Sequence, residues 1–188
     1  MDPVNILSYC IGLVFLMTCS AFFSGSETAF SALTKAQIQR LRNDRRKSAL
    51  FAVRFIDEPR RFFITVLFGN ILVNVAFVTI TGSLIYQELF KGSHAGLASV
   101  IAVVIELVVL LLCGEITPKT FAIQHSLAMT RIIAIPLWVF SVVIFPVRKI
   151  LRWFTDLVLP LLGVHGYKEN HSITEEELQA MVDSAEEE

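Results

Sequence analysis

Apolar residues in this chain fall into long unbroken blocks, not the short alternation of a sheet or the narrow stripe of a soluble helix. A membrane-crossing helix needs about 20 mostly apolar residues. Three blocks meet that length, one starting at Val4, one from Phe62 to about Ile85, and one from Ala95 to Cys113. The third runs directly into Gly114-Glu115-Ile116-Thr117-Pro118, where Pro118 lacks an N–H and should break the helix. A fourth apolar run, about 132–147, is preceded by Arg131 and interrupted by Pro136 and Pro146. It reads as a bent juxtamembrane helix with Trp138 and Trp153 as interfacial anchors, and a fourth crossing is the alternative. The pattern therefore predicts an all-α membrane protein with three transmembrane helices, the third broken at Gly114–Pro118. The expected spans are about 4–33, 62–86 and 95–134, with a juxtamembrane helix over 135–160 and a membrane domain ending near 165.

Composition agrees with this reading: 54% of the 188 residues are hydrophobic and the mean hydropathy is +0.64. Charge is segregated, which decides orientation. Between the first two spans lie Lys35, Arg40, Arg42, Arg45, Arg46, Lys47, Arg54, Arg60 and Arg61, nine of the sixteen basic residues. The positive-inside rule puts this segment in the cytoplasm, the N-terminus outside and, after three crossings, the C-terminus inside. Apolar Ile38, Leu41, Leu50, Phe51, Val53 and Phe55 interleave with those charges. They suit one or two amphipathic helices on an anionic leaflet, or else a solvated connection. From 166 to 188 the chain turns acidic, with Thr174 and Glu177 at capping-box spacing, and that helix is expected to continue past Glu188. Cys10, Cys19 and Cys113 lack the spacing of a zinc site or disulfide framework. The basic segment alone gives no case for nucleic-acid binding, and no nucleophile–base set or phosphate loop suggests an enzyme.

Polar groups are costly in hydrocarbon, so those inside the apolar blocks are functional candidates, with close packing through small residues and interhelical amide hydrogen bonds as the competing readings for the Ser and Asn faces. Ser20, Ser24 and Thr28 are four apart and share a helix face; Gly25 and Glu27 lie among them. Asn70 and Asn74 share a face of the second span. In the third cluster Pro118 deprives the Gly114 carbonyl of its usual partner, and Glu115 supplies charge beside the freed carbonyl. A structural kink with Glu115 paired to Lys119 is the competing reading. All these donors are oxygens, which suit hard cations such as Mg²⁺, Ca²⁺ or Na⁺ better than zinc or copper. Glu106 also lies within the third span, with no place in these clusters.

Phe23-Ser24-Gly25-Ser26-Glu27-Thr28-Ala29, Gly69-Asn70-Ile71-Leu72-Val73-Asn74 and Gly114-Glu115-Ile116-Thr117-Pro118-Lys119 resemble the signatures of the CorC/CNNM magnesium transporters, in their prokaryotic form. That family's membrane part is the DUF21 domain. The resemblance implies a homodimer in the cell membrane and one Mg²⁺ site per subunit. It also implies Mg²⁺ export, coupled to Na⁺ entry. The ligand set it implies is Ser20, Ser24, Asn70, Gly114 and Glu115, with Gly25, Glu27, Thr28 and Asn74 as second choices. It further implies that the acidic segment leads to ATP-binding CBS domains beyond this chain. Two rivals stand beside export: a membrane-anchored Mg²⁺ sensor that moves nothing, and a less selective Na⁺ or divalent-cation carrier.

Overall fold

The computed structural model of the chain describes residues 3–89 and 95–161. The acidic segment 166–188 and its capping box lie outside the described residues. Every described element is a helix. The first is α1, Pro3–Ser31. Two short helices follow, α2 at Lys35–Asn43 and α3 at Lys47–Asp57. Next come α4, Pro59–Leu89, and α5, Ala95–Val109. A π-helical stretch, Leu110–Ile116, joins α5 to α6, Thr117–Gln124. The last two are α7, Ser126–Val143, and α8, Phe145–Leu161. The chain is thus an all-α membrane protein, and among the described residues four segments are long and apolar enough to cross a bilayer: Leu7–Ser31, Pro59–Leu84, Val100–Gln124 and Ser126–Val143. One compact unit ends at Lys149, and a second begins at Ile150, within α8.

The basic segment forms two helices, not a loose loop. Thr34 caps α2: its hydroxyl accepts from the Gln37 N–H at 3.3 Å, while Gln37 Oε1 accepts from the Thr34 N–H at 2.9 Å. This reciprocal pair satisfies donors that a helix start leaves open. Leu41, Ala49 and Ala52 point inward and pack with Ala134 of α7. A larger cluster joins Phe23 of α1, Phe55 of α3, Phe62 and Val66 of α4, and Ile133 and Leu137 of α7. Aromatic pairs bind it, with ring centroids 4.5 Å apart for Phe30–Phe62 and 4.9 Å for Phe23–Phe140. Helices α1 and α4 approach closely because position 69 is glycine. A Cβ there would collide with the Phe23 ring.

Helix boundaries in this region fall at other residues than the apolar pattern suggests. The third span was expected to run to 134 with a juxtamembrane helix from 135 to 160. The interruption instead falls at His125, which leaves helical geometry at φ −122°, ψ 34°. Pro136 sits inside α7 without ending it. Pro146 does mark a break, since the chain turns at Ile144 and Pro146 then occupies the first turn of α8, where no intrahelical N–H is needed. The break near Pro118 also takes a different form. Residues 110–116 stay wound as a π-helix, and the Thr117 N–H reaches back five residues to the Leu112 carbonyl. Winding one extra residue into the turn spares the chain an open gap at the proline, a familiar use of π-bulges at functional positions.

Helix α7 is held along its length by the segment joining α1 to α4 and, near its end, by the first turns of α4 and α8. Near its start Ser126 Oγ donates to Gln37 Oε1 at 3.3 Å, and Arg131 pairs with Asp44 at 2.9 Å. Midway, Trp138 lies 4.7 Å from Phe51. Near its end, Ser141 Oγ accepts from Arg61 Nε at 3.0 Å and from Arg148 Nη1 at 2.8 Å.

Candidate cation site

Three helices bring oxygen-bearing side chains together at the π-helical stretch. Helix α1 supplies Ser20 and Ser24, which are four residues apart and fully buried. Helix α4 supplies Asn74. Glu115 comes from the π-helix itself. Ser20 Oγ donates to Asn74 Oδ1 at 2.7 Å, and Asn74 Nδ2 donates to Glu115 Oε1 at 3.2 Å. Ser24 Oγ donates to the Glu115 backbone carbonyl at 3.4 Å. The four residues form one hydrogen-bonded chain, Ser20–Asn74–Glu115–Ser24, with a single carboxylate in it.

Gly114 lets that chain close. A Cβ at 114 would stand 2.9 Å from Ser20 Oγ, too near for α1 to keep its place beside the π-helix. The π-turn matters for the same reason. Each residue added to a helix turns the next side chain by about 100°, so the extra residue sets which way Glu115 faces relative to α6.

Of the expected ligands, the structure joins Ser20, Ser24 and Glu115 directly and seats Gly114 against Ser20. Asn70 differs. Its Oδ1 is buried and has no hydrogen-bond partner among the described residues. It lies one turn before Asn74 on the same face of α4, so an unused acceptor sits next to the chain of donors. Asn74, the second choice, is the residue that bridges α1 to the π-helix. Sequence spacing put both amides on one face and could not rank them.

The remaining second choices act at the edge. Glu27 pairs with Lys119 at 3.4 Å. Lys119 therefore answers Glu27 and not Glu115, against the reading of a Glu115–Lys119 kink. Thr28 Oγ1 donates to the Ser24 carbonyl at 3.4 Å on its own helix. Gly25 packs against Pro118 and Met129; a Cβ there would make ordinary contacts of 3.6 Å. So Pro118 helps hold α6 against α1 as well as shaping the break.

Among the described residues no group of three or more His, Cys, Asp or Glu side chains could hold a metal ion. A cation at this point would rest on hydroxyl, amide and backbone oxygens with one carboxylate. Such a donor set matches Mg²⁺ or Na⁺ and offers nothing to a soft metal. In the arrangement described, the oxygens are occupied with one another. Admitting a cation requires the Ser20 hydroxyl to turn its proton away and the Asn74 amide to release Glu115.

The comparisons agree with the motifs. Residues 11–188 match the CNNM family, the cyclin M transmembrane N-terminal domain. A chloroplastic DUF21 domain-containing protein of Arabidopsis thaliana is 31% identical over 177 residues, 93% of this chain and 26% of that protein. A UPF0053 protein of Haemophilus influenzae is 28% identical over 98% of this chain and 43% of its own length. A UPF0053 inner membrane protein of Escherichia coli is 28% identical over 87% of this chain and 37% of its own. The chain therefore spans a quarter to under half of these relatives. With its three motifs in order, and a family match over nearly all its length, the chain belongs to the CNNM family of cyclin M transmembrane domains.

Proposed function

We propose that this chain is the membrane domain of a Mg²⁺ transporter, which exports Mg²⁺ by alternating access and draws on Na⁺ entry. The observation that carries the reading is the convergence of Ser20, Ser24, Asn74 and Glu115 on a π-helical turn within an apolar span, with the orphaned Asn70 oxygen beside them. A buried acceptor without a partner costs free energy, and a cation would repay it. Mg²⁺ takes about six oxygens at about 2.0–2.1 Å and gives up water reluctantly. Fixed protein oxygens must then replace its shell, which favours ligands mounted on packed helices over ligands on loops. Na⁺, held more weakly by the same kind of oxygens, would compete for Glu115 and so couple the two ions.

On this reading the protein is a homodimer in the cell membrane, with its N-terminus outside. Both ends of α7 are tied to the segment 35–61, the most basic part of the chain. That favours α7 lying along the cytoplasmic surface, despite its length, and leaves three crossings. The C-terminus is then cytoplasmic.

Flux across proteoliposomes tests the proposal. Mg²⁺ should leave Mg²⁺-loaded vesicles faster when Na⁺ is added on the opposite side, and Glu115→Ala should abolish the movement. Mg²⁺ binding without flux would instead make the domain a sensor. Equal movement of Na⁺ and divalent ions without coupling would make it a less selective carrier.

A further inference from the structure

Glu106 lies outside the cluster around Glu115 and takes no part in it. Its setting on α5 is unusual. Ile105, Leu107, Val103, Val104, Val108 and Val109 are all exposed, as lipid-facing residues should be. Glu106 itself is only 7% exposed. The helix thus turns its carboxyl inward and its hydrocarbon outward. Leu110, one turn on, is also buried, and α5 packs on α4 along this side.

The side chain beside Glu106 is Thr81 of α4. The Thr81 hydroxyl already donates to the Phe77 carbonyl at 2.9 Å. A hydroxyl has one proton, so while the bond to Phe77 is kept Thr81 Oγ1 can offer Glu106 only lone pairs. An ionised carboxylate also has only lone pairs. With that helix bond kept, a hydrogen bond between the two needs a proton on Glu106. The other carboxyl oxygen, Oε1, is buried with no partner among the described residues. A charged carboxylate left in that state inside a span is heavily disfavoured, whereas a neutral acid is tolerated.

Among the described residues no opposite charge is placed to offset this. From Phe62 to Leu84, α4 carries no titratable side chain. The π-helical stretch brings Cys113, which is exposed, and Glu115, nine residues on and about 13 Å along the axis at about 1.5 Å per residue. Glu115 has the same sign. Two oxygen-bearing groups are also too few to hold a metal ion.

We propose that Glu106 and Thr81 form a proton-binding site in the seam between α4 and α5, distinct from the Glu115 cluster. The Glu106 O–H donates to Thr81 Oγ1 while the seam is closed. When α5 shifts against α4 and water enters, the proton passes to water, leaving a carboxylate and a hydronium ion. The site exists whether or not the Glu115 cluster carries Mg²⁺.

Infrared spectroscopy of the protein in lipid vesicles at neutral pH tests this. The expected spectrum has a protonated-carboxyl C=O band that disappears in Glu106→Gln and persists in Glu115→Gln. Thr81→Val should shift that band to higher frequency, because the acid loses its acceptor. Glu106→Gln, which keeps a neutral donor at the same place, should leave the melting temperature unchanged. Absence of the band in the parent protein, or its survival in Glu106→Gln, overturns the proposal. A band unmoved by Thr81→Val overturns the assigned partner, and a large loss of melting temperature in Glu106→Gln shows a charged, paired carboxylate instead.

Discussion

Asn70 and Asn74 are chemically alike and one turn apart, yet the structure gives them different tasks. Asn74 bonds both neighbours, Ser20 and Glu115. Asn74→Ala removes the amide oxygen that would face the ion beside Glu115, so it should weaken Mg²⁺ binding by roughly tenfold or more. Titration calorimetry would read it. Asn70 makes the opposite forecast for the cation-free protein. Its orphaned oxygen is a burden there, and an unsatisfied buried acceptor costs about 1–3 kcal/mol. Asn70→Leu should therefore raise the melting temperature without Mg²⁺ and reduce the further rise that Mg²⁺ produces, as seen in a thermal-shift series across Mg²⁺ concentrations. An unchanged Mg²⁺ response would remove Asn70 from the site.

At the scale of elements, the π-helix and the α1–α4 contact decide the geometry. Pro118 keeps the α-helical register unavailable, because position 118 has no N–H to give the Gly114 carbonyl. Pro118→Ala restores that donor and lets a regular α-helix compete with the π-turn. Helical circular dichroism should hold steady while Mg²⁺ affinity falls, since Glu115 rotates away from Asn74. Gly69→Ala tests the other contact. Its new methyl meets the Phe23 ring, which is itself packed on Phe140. Overpacking of this kind costs about 1–3 kcal/mol, so the melting temperature should drop, with Phe23→Leu as a partial rescue.

For the whole molecule, topology turns on which of the described apolar helices cross the bilayer. Length and apolarity admit four. Contacts of α7 with Gln37, Asp44 and Arg61 argue that its two ends share a side. Single cysteines at Ile132 and Val143, which are 71% and 68% exposed, should both react with a membrane-impermeant thiol reagent added from the cytoplasmic side. This requires a background without Cys10, Cys19 and Cys113. Labelling of the two positions from opposite sides would show that α7 crosses.

The sequence by itself determined that the chain is helical and membrane-embedded, because block length and segregated charge are local properties that no packing can undo. It also placed Ser20, Ser24, Asn70, Asn74 and Glu115 as the polar exceptions, since any such group in hydrocarbon stands out. Only the tertiary structure decided which of them meet. Residues 41 to 91 apart in sequence are hydrogen-bonded here because Gly69 and Gly114 let three helices approach, and that depends on shapes no single helix carries. The form of the break was equally beyond local reading. Proline forbids one hydrogen bond, but whether the chain then unwinds or takes a π-turn depends on what packs around it, and here Gly25, Ser20 and Ser24 of α1 pack against the wound form.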